Sequence, residues 1–156
     1  MNLEYRKAAI FDLDILTKTR IQVLRAANQL EPSVDMSEVE RETQKYYKAA
    51  LSDGSHVAYL VFDREVFAGA CGISYYTVMP TFHNPTGRKA YVMNMYTHPD
   101  YRRRGIALKT LDLLVQDARG RGITAISLEA TDMGRPLYEK YGFVQMECEM
   151  ELPSNG

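Results

Sequence analysis

The chain has 156 residues, of which 46% are hydrophobic and 25% are charged, and its formal net charge is −1. This length and composition predict one folded domain over residues 1–156. A net charge so close to zero argues against a general nucleic-acid binder, which would usually be strongly basic. Any recognition of anions must therefore be local.

The sequence also lacks the features of several other classes of protein. Cys71 and Cys148 lie far apart in apolar runs and predict two buried thiols, and no cluster of cysteine and histidine predicts a zinc site. The first residues form no long apolar segment, and no stretch approaches the length of a membrane span. These observations favour a cytoplasmic protein with no metal and no membrane partner.

Apolar periodicity and the positions of prolines and glycines predict an alternation of strands and helices. In chain order the predicted elements are a strand at 5–9, a helix at 13–28, a polar helix from Asp35 or Ser37 to about Leu51, strands at 56–62, 66–78 and 90–97, a helix from Arg103 or Arg104 to Arg119, a strand at 123–130, a short helix at 134–141 and a last strand at 143–152. The order is β-α-α-β-β-β-α-β-α-β.

This order predicts an α/β fold with a mixed sheet and helices on both faces. The strands on either side of the turn at 63–65 form an antiparallel hairpin. The segment from 90 through 130 predicts a parallel pair of strands with a right-handed connection. Gly69 and Gly72 inside one long strand predict a bulge or a bend.

The most informative stretch, Asn94–Gly122, predicts the end of a strand, a basic turn and a helix. A helix N-terminus leaves backbone N–H groups without partners and carries a partial positive charge. A glycine there lets an anion approach the backbone, and neighbouring arginines add full charges. Three consecutive arginines on a loop are usually a solvated cluster, so the prediction of a phosphate site depends on their place before a glycine and a helix. The turn contains Arg102, Arg103, Arg104, Gly105, Ile106 and Ala107.

Three short motifs give the chain a resemblance to a known family. Arg102-x-x-Gly105-x-Ala107 resembles the acyl-CoA signature R/Q-x-x-G-x-G/A of the GCN5-related N-acetyltransferase (GNAT) superfamily. Thr97-His98-Pro99 looks like the V-x-P at the end of that family's fourth strand, and the segment from Leu137 to Phe143 is similar to its L-Y-x-x-x-G-F. Because the element order also agrees, the resemblance covers nearly the whole chain.

The resemblance implies an acyl-CoA N-acyltransferase fold with acetyl-CoA in a wedge where the central parallel strands splay apart. The main chain of the fourth strand would bond the pantetheine amides, and the N–H groups of 103–107 would hold the pyrophosphate. Thr131 stands where relatives often have an asparagine that contacts the pantetheine arm. The implied residues for binding acetyl-CoA are Met95, Tyr96, Thr97, Arg102, Arg103, Arg104, Gly105, Ile106, Ala107, Thr131 and Tyr138.

The resemblance also implies an N-acetyltransferase in which a primary amine attacks the thioester directly in a ternary complex. The backbone N–H of Met95 would stabilise the oxyanion, and Tyr138 would be the general acid for the leaving thiolate. The general base stays open among Glu129, His98 and His83, while Asn94 and Tyr96 are candidates for orienting a water molecule or the substrate.

The sequence does not name the acceptor, which is expected to be a small-molecule or peptide amine. Four tyrosines suggest an aromatic pocket with polar tips. They are Tyr46, Tyr47, Tyr75 and Tyr76.

Alternative functions and the oligomeric state remain open. Because no base is obvious, a non-catalytic domain that binds acyl-CoA as a sensor or scaffold is the alternative function. An RNA-binding role for the arginines is disfavoured by the net charge. The segment from Phe143 to Gly156 is short for the two strands that relatives commonly have there, so a homodimer that exchanges a strand is a further expectation.

Overall fold

The computed structural model describes residues 1–154, and these residues form a five-stranded sheet and four α-helices. This architecture confirms the predicted mixed α/β fold. Short 3₁₀ turns precede the first and third helices. The strands are β1 (Leu3–Lys7), β2 (His56–Asp63), β3 (Val66–Thr77), β4 (Arg88–Thr97) and β5 (Ala125–Leu128), and the helices are α1 (Leu13–Asn28), α2 (Ser37–Asp53), α3 (Ile106–Gly120) and α4 (Arg135–Tyr141).

The strands follow one another in the sheet in chain order, from β1 to β5. The first four are antiparallel to their neighbours, and β4 and β5 are parallel, as predicted. Side chains alternate between the two faces of each strand. Ala58 and Leu60 of β2 pack with α1 and α2 on one face, whereas Val57 packs with α3 on the other.

The parallel pair is splayed. The ladder runs from the pair Lys89–Ala125 to the pair Val92–Leu128 and ends there, whereas β4 continues to Thr97. The last residues of β4, 93–97, therefore have no β5 neighbour, and their backbone groups on that side are available to another partner.

The bulge predicted from the glycines of β3 occurs near Gly69. Val61 of β2 pairs with Gly69, and Phe62 pairs with Phe67, so Ala68 is an additional residue in β3. An extra residue bends a strand and increases its local twist.

A second bulge, which the sequence analysis missed, lies in β4. Gly72 pairs with Met93 and Ala70 pairs with Tyr96, so two residues of β4, Asn94 and Met95, face a single residue of β3. Asn94 has φ of 57°, a left-handed conformation that asparagine tolerates better than most residues. This bulge interrupts the alternation of faces where β4 leaves β5.

The strand predicted at 143–152 is wrong. The described chain after α4 contains no strand, and its alternating apolar residues face solvent: Val144 is 84% exposed and Leu152 is 94% exposed. A strand needs a partner for its backbone groups, and none of residues 1–154 supplies one here. For the same reason Cys148 is exposed, which corrects the prediction of two buried thiols, whereas Cys71 is buried as predicted.

Candidate active site

The turn before α3 exposes an open helix N-terminus. Arg103 and Gly105 both have positive φ, at 63° and 81°, and reverse the chain into the helix. Gly105 is the N-cap, and no side chain caps the first N–H groups of α3. A Cβ added at Gly105 would meet nothing within 4 Å. The positive end of the helix therefore faces open space that an anion can enter.

The three arginines of the turn are exposed. The guanidinium of Arg104 lies 5.5 Å from the centre of the Tyr101 ring. Within residues 1–154, no carboxylate lies within 4.0 Å of the charged nitrogens of Arg102 or Arg103. These two charges are therefore not neutralised by ion pairs, and they add to the field of the helix. Ile106 is buried and anchors the start of the helix on the sheet.

The end of β4 supplies main chain to the wedge beside β5. The Met95 side chain packs against the core beneath α3, and the Tyr96 ring stacks on Phe67 with 5.8 Å between ring centroids. Side-chain packing thus holds the strand on the β3 side, while the β5 side stays open. Thr131 lies in the exposed loop before α4, where its Oγ1 accepts the N–H of Gly134 at 3.2 Å.

Tyr138 of α4 is 8% exposed and packs edge-on against Phe143, with ring centroids 6.1 Å apart. Gly134 lies against the ring, since an added Cβ would be 2.9 Å from a ring carbon. Burial raises the pKa of the Tyr138 phenol, so the phenol stays protonated at neutral pH. Within residues 1–154 its hydroxyl is not among the fully buried polar atoms that lack a partner, so it can donate to a ligand.

A cleft of about 450 Å³ lies on the opposite face of the sheet, under α1 and α2. Residues of α1, α2, β2, β3 and β4 line it. All four tyrosines that suggested an aromatic pocket lie around this cleft: Tyr46, Tyr47, Tyr75 and Tyr76.

A buried histidine that the sequence analysis missed lies in the wall of this cleft. The Nδ1 of His56 is 3.0 Å from the Tyr46 hydroxyl and 3.1 Å from the Ser74 hydroxyl, and the two hydroxyls are 2.7 Å apart. The Nε2 of His56 is buried without a partner among residues 1–154 and lies against Gly72, where an added Cβ would be 2.8 Å away. His56 pairs with Ser74 because of the register of the β2–β3 hairpin, which the sequence analysis did not predict.

Burial, together with the nearby charge of Arg20, lowers the pKa of His56 to about 4. The imidazole is therefore neutral at neutral pH. A neutral imidazole has one nitrogen that can accept a proton, and in the tautomer with the proton on Nε2 this nitrogen is Nδ1, beside the hydroxyls of Tyr46 and Ser74. Tyr46 and Ser74 thus connect the cleft to a neutral base through hydrogen bonds.

The three bases proposed from the sequence are not in the cleft. Glu129 is exposed beyond β5, and His83 is exposed and packs on Phe82 in the loop after β3. His98 is a turn residue whose Nδ1 accepts the N–H of Asp100 at 3.1 Å. Residues 1–154 also contain no group of three or more histidine, cysteine or acidic side chains that could hold a metal ion.

The cleft and the wedge meet at the bulge in β4. Asn94 lines the cleft, and its Oδ1 accepts a hydrogen bond of 3.0 Å from Nη1 of Arg20 on α1. The next residue, Met95, packs on the other face of the sheet beneath α3. Two ligands that occupied the cleft and the wedge would therefore approach each other across these two residues.

The chain resembles acetyltransferases over most of its length. The model of the Acetyltransferase (GNAT) family matches residues 21–143. A predicted acetyltransferase from Clostridium acetobutylicum, solved with acetyl-CoA, is 35% identical with a TM-score of 0.87, and the match covers 97% of this chain and 96% of that one. A GCN5-related N-acetyltransferase from Ralstonia eutropha JMP134 is 25% identical with a TM-score of 0.83, covering 99% of this chain and 100% of the other.

A curated human protein, the cysteine-rich protein 2-binding protein, is 34% identical over 64 residues. The matched segment is 41% of this chain and spans 8% of the length of the human protein. Separately, no helix of residues 1–154 combines the length and the hydropathy that crossing a membrane requires.

Proposed function

We propose that this chain, which belongs to the Acetyltransferase (GNAT) family, is an acetyl-CoA-dependent N-acetyltransferase. It would act on a primary amine in a ternary complex. One observation carries the proposal. The open end of β4 and the cleft under α1 and α2 are separated only by the bulge at Asn94 and Met95. An acyl donor in the wedge and an amine in the cleft would meet there.

The residues of the turn fit the phosphate end of acetyl-CoA. The uncapped N–H groups of α3, the open space at Gly105 and the unpaired arginines suit a pyrophosphate. The main chain of Met95 to Thr97, open on the β5 side, suits the pantetheine amides. When bound, acetyl-CoA supplies the acetyl group as an activated thioester. The similar Clostridium acetobutylicum acetyltransferase was solved with this molecule.

Two protein groups stabilise the charges that develop during transfer in this proposal. The backbone N–H of Met95 donates to the thioester oxygen as it becomes negative. Tyr138, whose raised pKa keeps it protonated, donates to the departing sulfur as general acid. Thr131, engaged with Gly134, is left with at most a minor contact to the pantetheine arm.

The proton that the amine loses passes to His56 in this mechanism. The hydroxyls of Tyr46 and Ser74 line the cleft and are hydrogen-bonded to Nδ1 of His56. Because His56 is neutral, it has a lone pair for this proton, and the hydroxyls relay it without carrying a net charge themselves. The earlier candidates, Glu129, His83 and His98, lie outside the cleft and are not connected to it by these hydroxyls.

A binding domain that holds acyl-CoA without transferring it is the second candidate. The pKa of about 4 for His56 favours it, because such a group is a weak base. Calorimetric titration with acetyl-CoA and thiol release with a broad panel of amines separate the two candidates. Binding with thiol release supports the enzyme, binding without release supports the sensor, and no binding contradicts both.

We also propose a homodimer, because the surface beside β5 is incomplete. A cleft of about 580 Å³ lies along β5 and is lined in part by Val144 and Met146 of the exposed tail. A second copy that pairs with β5 or with the tail would cover both. Size-exclusion chromatography with light scattering measures the mass, and a monomer would contradict this proposal.

The cytoplasmic location of the protein, and its lack of membrane and nucleic-acid partners, remain predictions from the sequence.

A further inference from the structure

The acceptor cleft contains a cation, Arg20, for which residues 1–154 provide no counter-ion within 4.0 Å. Arg20 lines the cleft from α1 and is partly withdrawn from water, and burial lowers the pKa of its guanidinium. In residues 1–154, no carboxylate oxygen lies within 4.0 Å of it. Withdrawing a charge from water costs free energy unless an opposite charge compensates. A ligand that brought a negative group would supply that compensation.

The guanidinium of Arg20 is held by one hydrogen bond, which leaves other N–H donors for a ligand. Nη1 donates to Oδ1 of Asn94 at 3.0 Å, which ties Arg20 to the bulge in β4. A guanidinium carries five N–H donors in a planar fork. The side-chain nitrogens and oxygens that are buried without a partner in the described chain are Arg6 Nε and His56 Nε2. The remaining nitrogens of Arg20 are not in that set, and the residue lines the cleft, so they are available to a ligand in this proposal.

Glu42, the acidic residue that lines the cleft, does not neutralise Arg20. Glu42 of α2 lines the cleft but is exposed, and it lies more than 4.0 Å from Arg20. The cleft therefore presents a fixed cation next to the bulge and an anion at its solvent side. A polycationic amine would be repelled by Arg20, whereas a molecule that carries both charges matches the two groups.

We propose that the acceptor is an amine that also bears a carboxylate, such as a free amino acid, and that Arg20 binds this carboxylate beside Asn94. This inference rests on the proposed function and names its substrate class. The planar fork of a guanidinium matches a carboxylate with two parallel hydrogen bonds. The carboxylate is then fixed beside Asn94. Because the amine of an amino acid is attached to the neighbouring carbon, it also lies at the bulge, on the side of Tyr46 and Ser74, which lead to His56.

Matched acceptors test the proposal in a thiol-release assay. Each proteinogenic amino acid is compared with its carboxamide and with the amine that lacks the carboxylate. Because a charge-assisted hydrogen bond to a carboxylate is lost, kcat/KM is expected to fall about 10- to 100-fold for both analogues. The fourth compound in the comparison is a matched amine that carries a phosphate in place of the carboxylate. Equal values for the acid and its analogues, or preference for the phosphate compound, would overturn the proposal.

Variants of α1 show whether Arg20 causes the preference. Arg20→Gln is expected to lose the preference for the acid, and Arg20→Lys to keep part of it, because the ammonium retains the charge without the fork. Lys18→Gln removes an exposed positive charge from the same helix and is expected to keep the full preference. Preference retained in Arg20→Gln, with thermal unfolding like that of the native chain, would contradict the assignment.

Direct binding separates this inference from the proposed function. Calorimetric titration of the amino acids into protein with coenzyme A needs no turnover. Binding of an amino acid that disappears in Arg20→Gln supports the inference even if no thiol is released. Absence of binding for every amino acid, in protein that does bind acetyl-CoA, would overturn the inference and leave the proposed function standing.

Discussion

In the proposed function, the turn at 102–107 and the cleft under α1 and α2 would recognise their ligands by opposite means. The turn is one continuous segment that offers backbone N–H groups and space above Gly105. The cleft is assembled from side chains of five separate elements, with Arg20 and His56 among the residues that line it. A main-chain site depends on local geometry and tolerates many side chains, whereas a side-chain site depends on each residue. This difference predicts how unequally the two regions respond to substitution.

The largest expected effect concerns the side chain of Tyr138. Tyr138→Phe keeps the buried ring but removes the proton donor, so kcat is expected to fall on the order of 1,000-fold while acetyl-CoA affinity changes little. Steady-state kinetics and calorimetry measure the two quantities. Tyr141→Phe, in the same helix, removes a hydroxyl that donates to Asp112 and serves as the control. A Tyr138→Phe enzyme with the native rate at every pH would exclude the acid role.

The next effect is the pH dependence of stability caused by His56. Its folded pKa of about 4 lies below the unfolded value of 6.5, so the unfolded chain binds the proton more readily. Stability is therefore fully present above pH 6.5 and falls by about 3 kcal/mol as the pH decreases through the folded pKa. Chemical unfolding measured across this range should show a smaller fall in His56→Gln. His83→Gln is the exposed control, and equal falls in all three proteins would refute the prediction.

A smaller effect, on the affinity for acetyl-CoA, is expected from substitution of Gly105, which is the most sensitive position of the turn. A valine there would be strained by about 1–2 kcal/mol at a φ of 81° and would place a side chain over the helix N-terminus. Acetyl-CoA should bind about 10-fold more weakly, as measured by calorimetry. Gly120→Ala, at the other end of α3, lies in open space with ordinary φ and should bind acetyl-CoA like the native chain. Native affinity in Gly105→Val would show that the N–H groups do not contact the ligand.

The smallest effect is expected from an arginine of the turn. Arg102→Gln removes an exposed charge, and exposed charges contribute little and are screened by salt. Affinity for acetyl-CoA should fall about 3-fold in low salt and match the native protein in high salt. Lys18→Gln is again the control for net charge. A large, salt-independent loss would show that the side chain rather than the main chain holds the phosphate.

The same contrast explains what could be predicted from the sequence. The bounds of α1 were predicted as 13–28 and occur as Leu13–Asn28, because its apolar spacing is local information. The turn before α3 could be identified because its motif is contiguous. For the cleft, residue types suggested the four tyrosines but not the pairing of Arg20 with Asn94, because only the fold brings these two residues together. His56 was overlooked because a histidine in an apolar strand gives no local signal.

The errors in the predicted strands have a related cause. Alternating apolar residues at 143–152 predicted a strand, but alternation cannot tell whether a partner strand is present. The bulge at Asn94 and Met95 was missed because it depends on pairing with β3 rather than on the composition of β4. The positive φ of Asn94 agrees with its residue type, but an asparagine in a strand does not by itself indicate a bulge.

The contact between Gly72 and His56 fixes the position of the imidazole in the wall of the cleft. The imidazole rests on the bare backbone of Gly72, and a methyl group there would be 2.8 Å from Nε2. Any larger residue at position 72 must displace the ring, and Tyr46 and Ser74, which bond its other nitrogen, would move with it or lose it. In the proposed function, the lack of a Cβ at position 72 therefore affects the size of acceptor that fits the cleft.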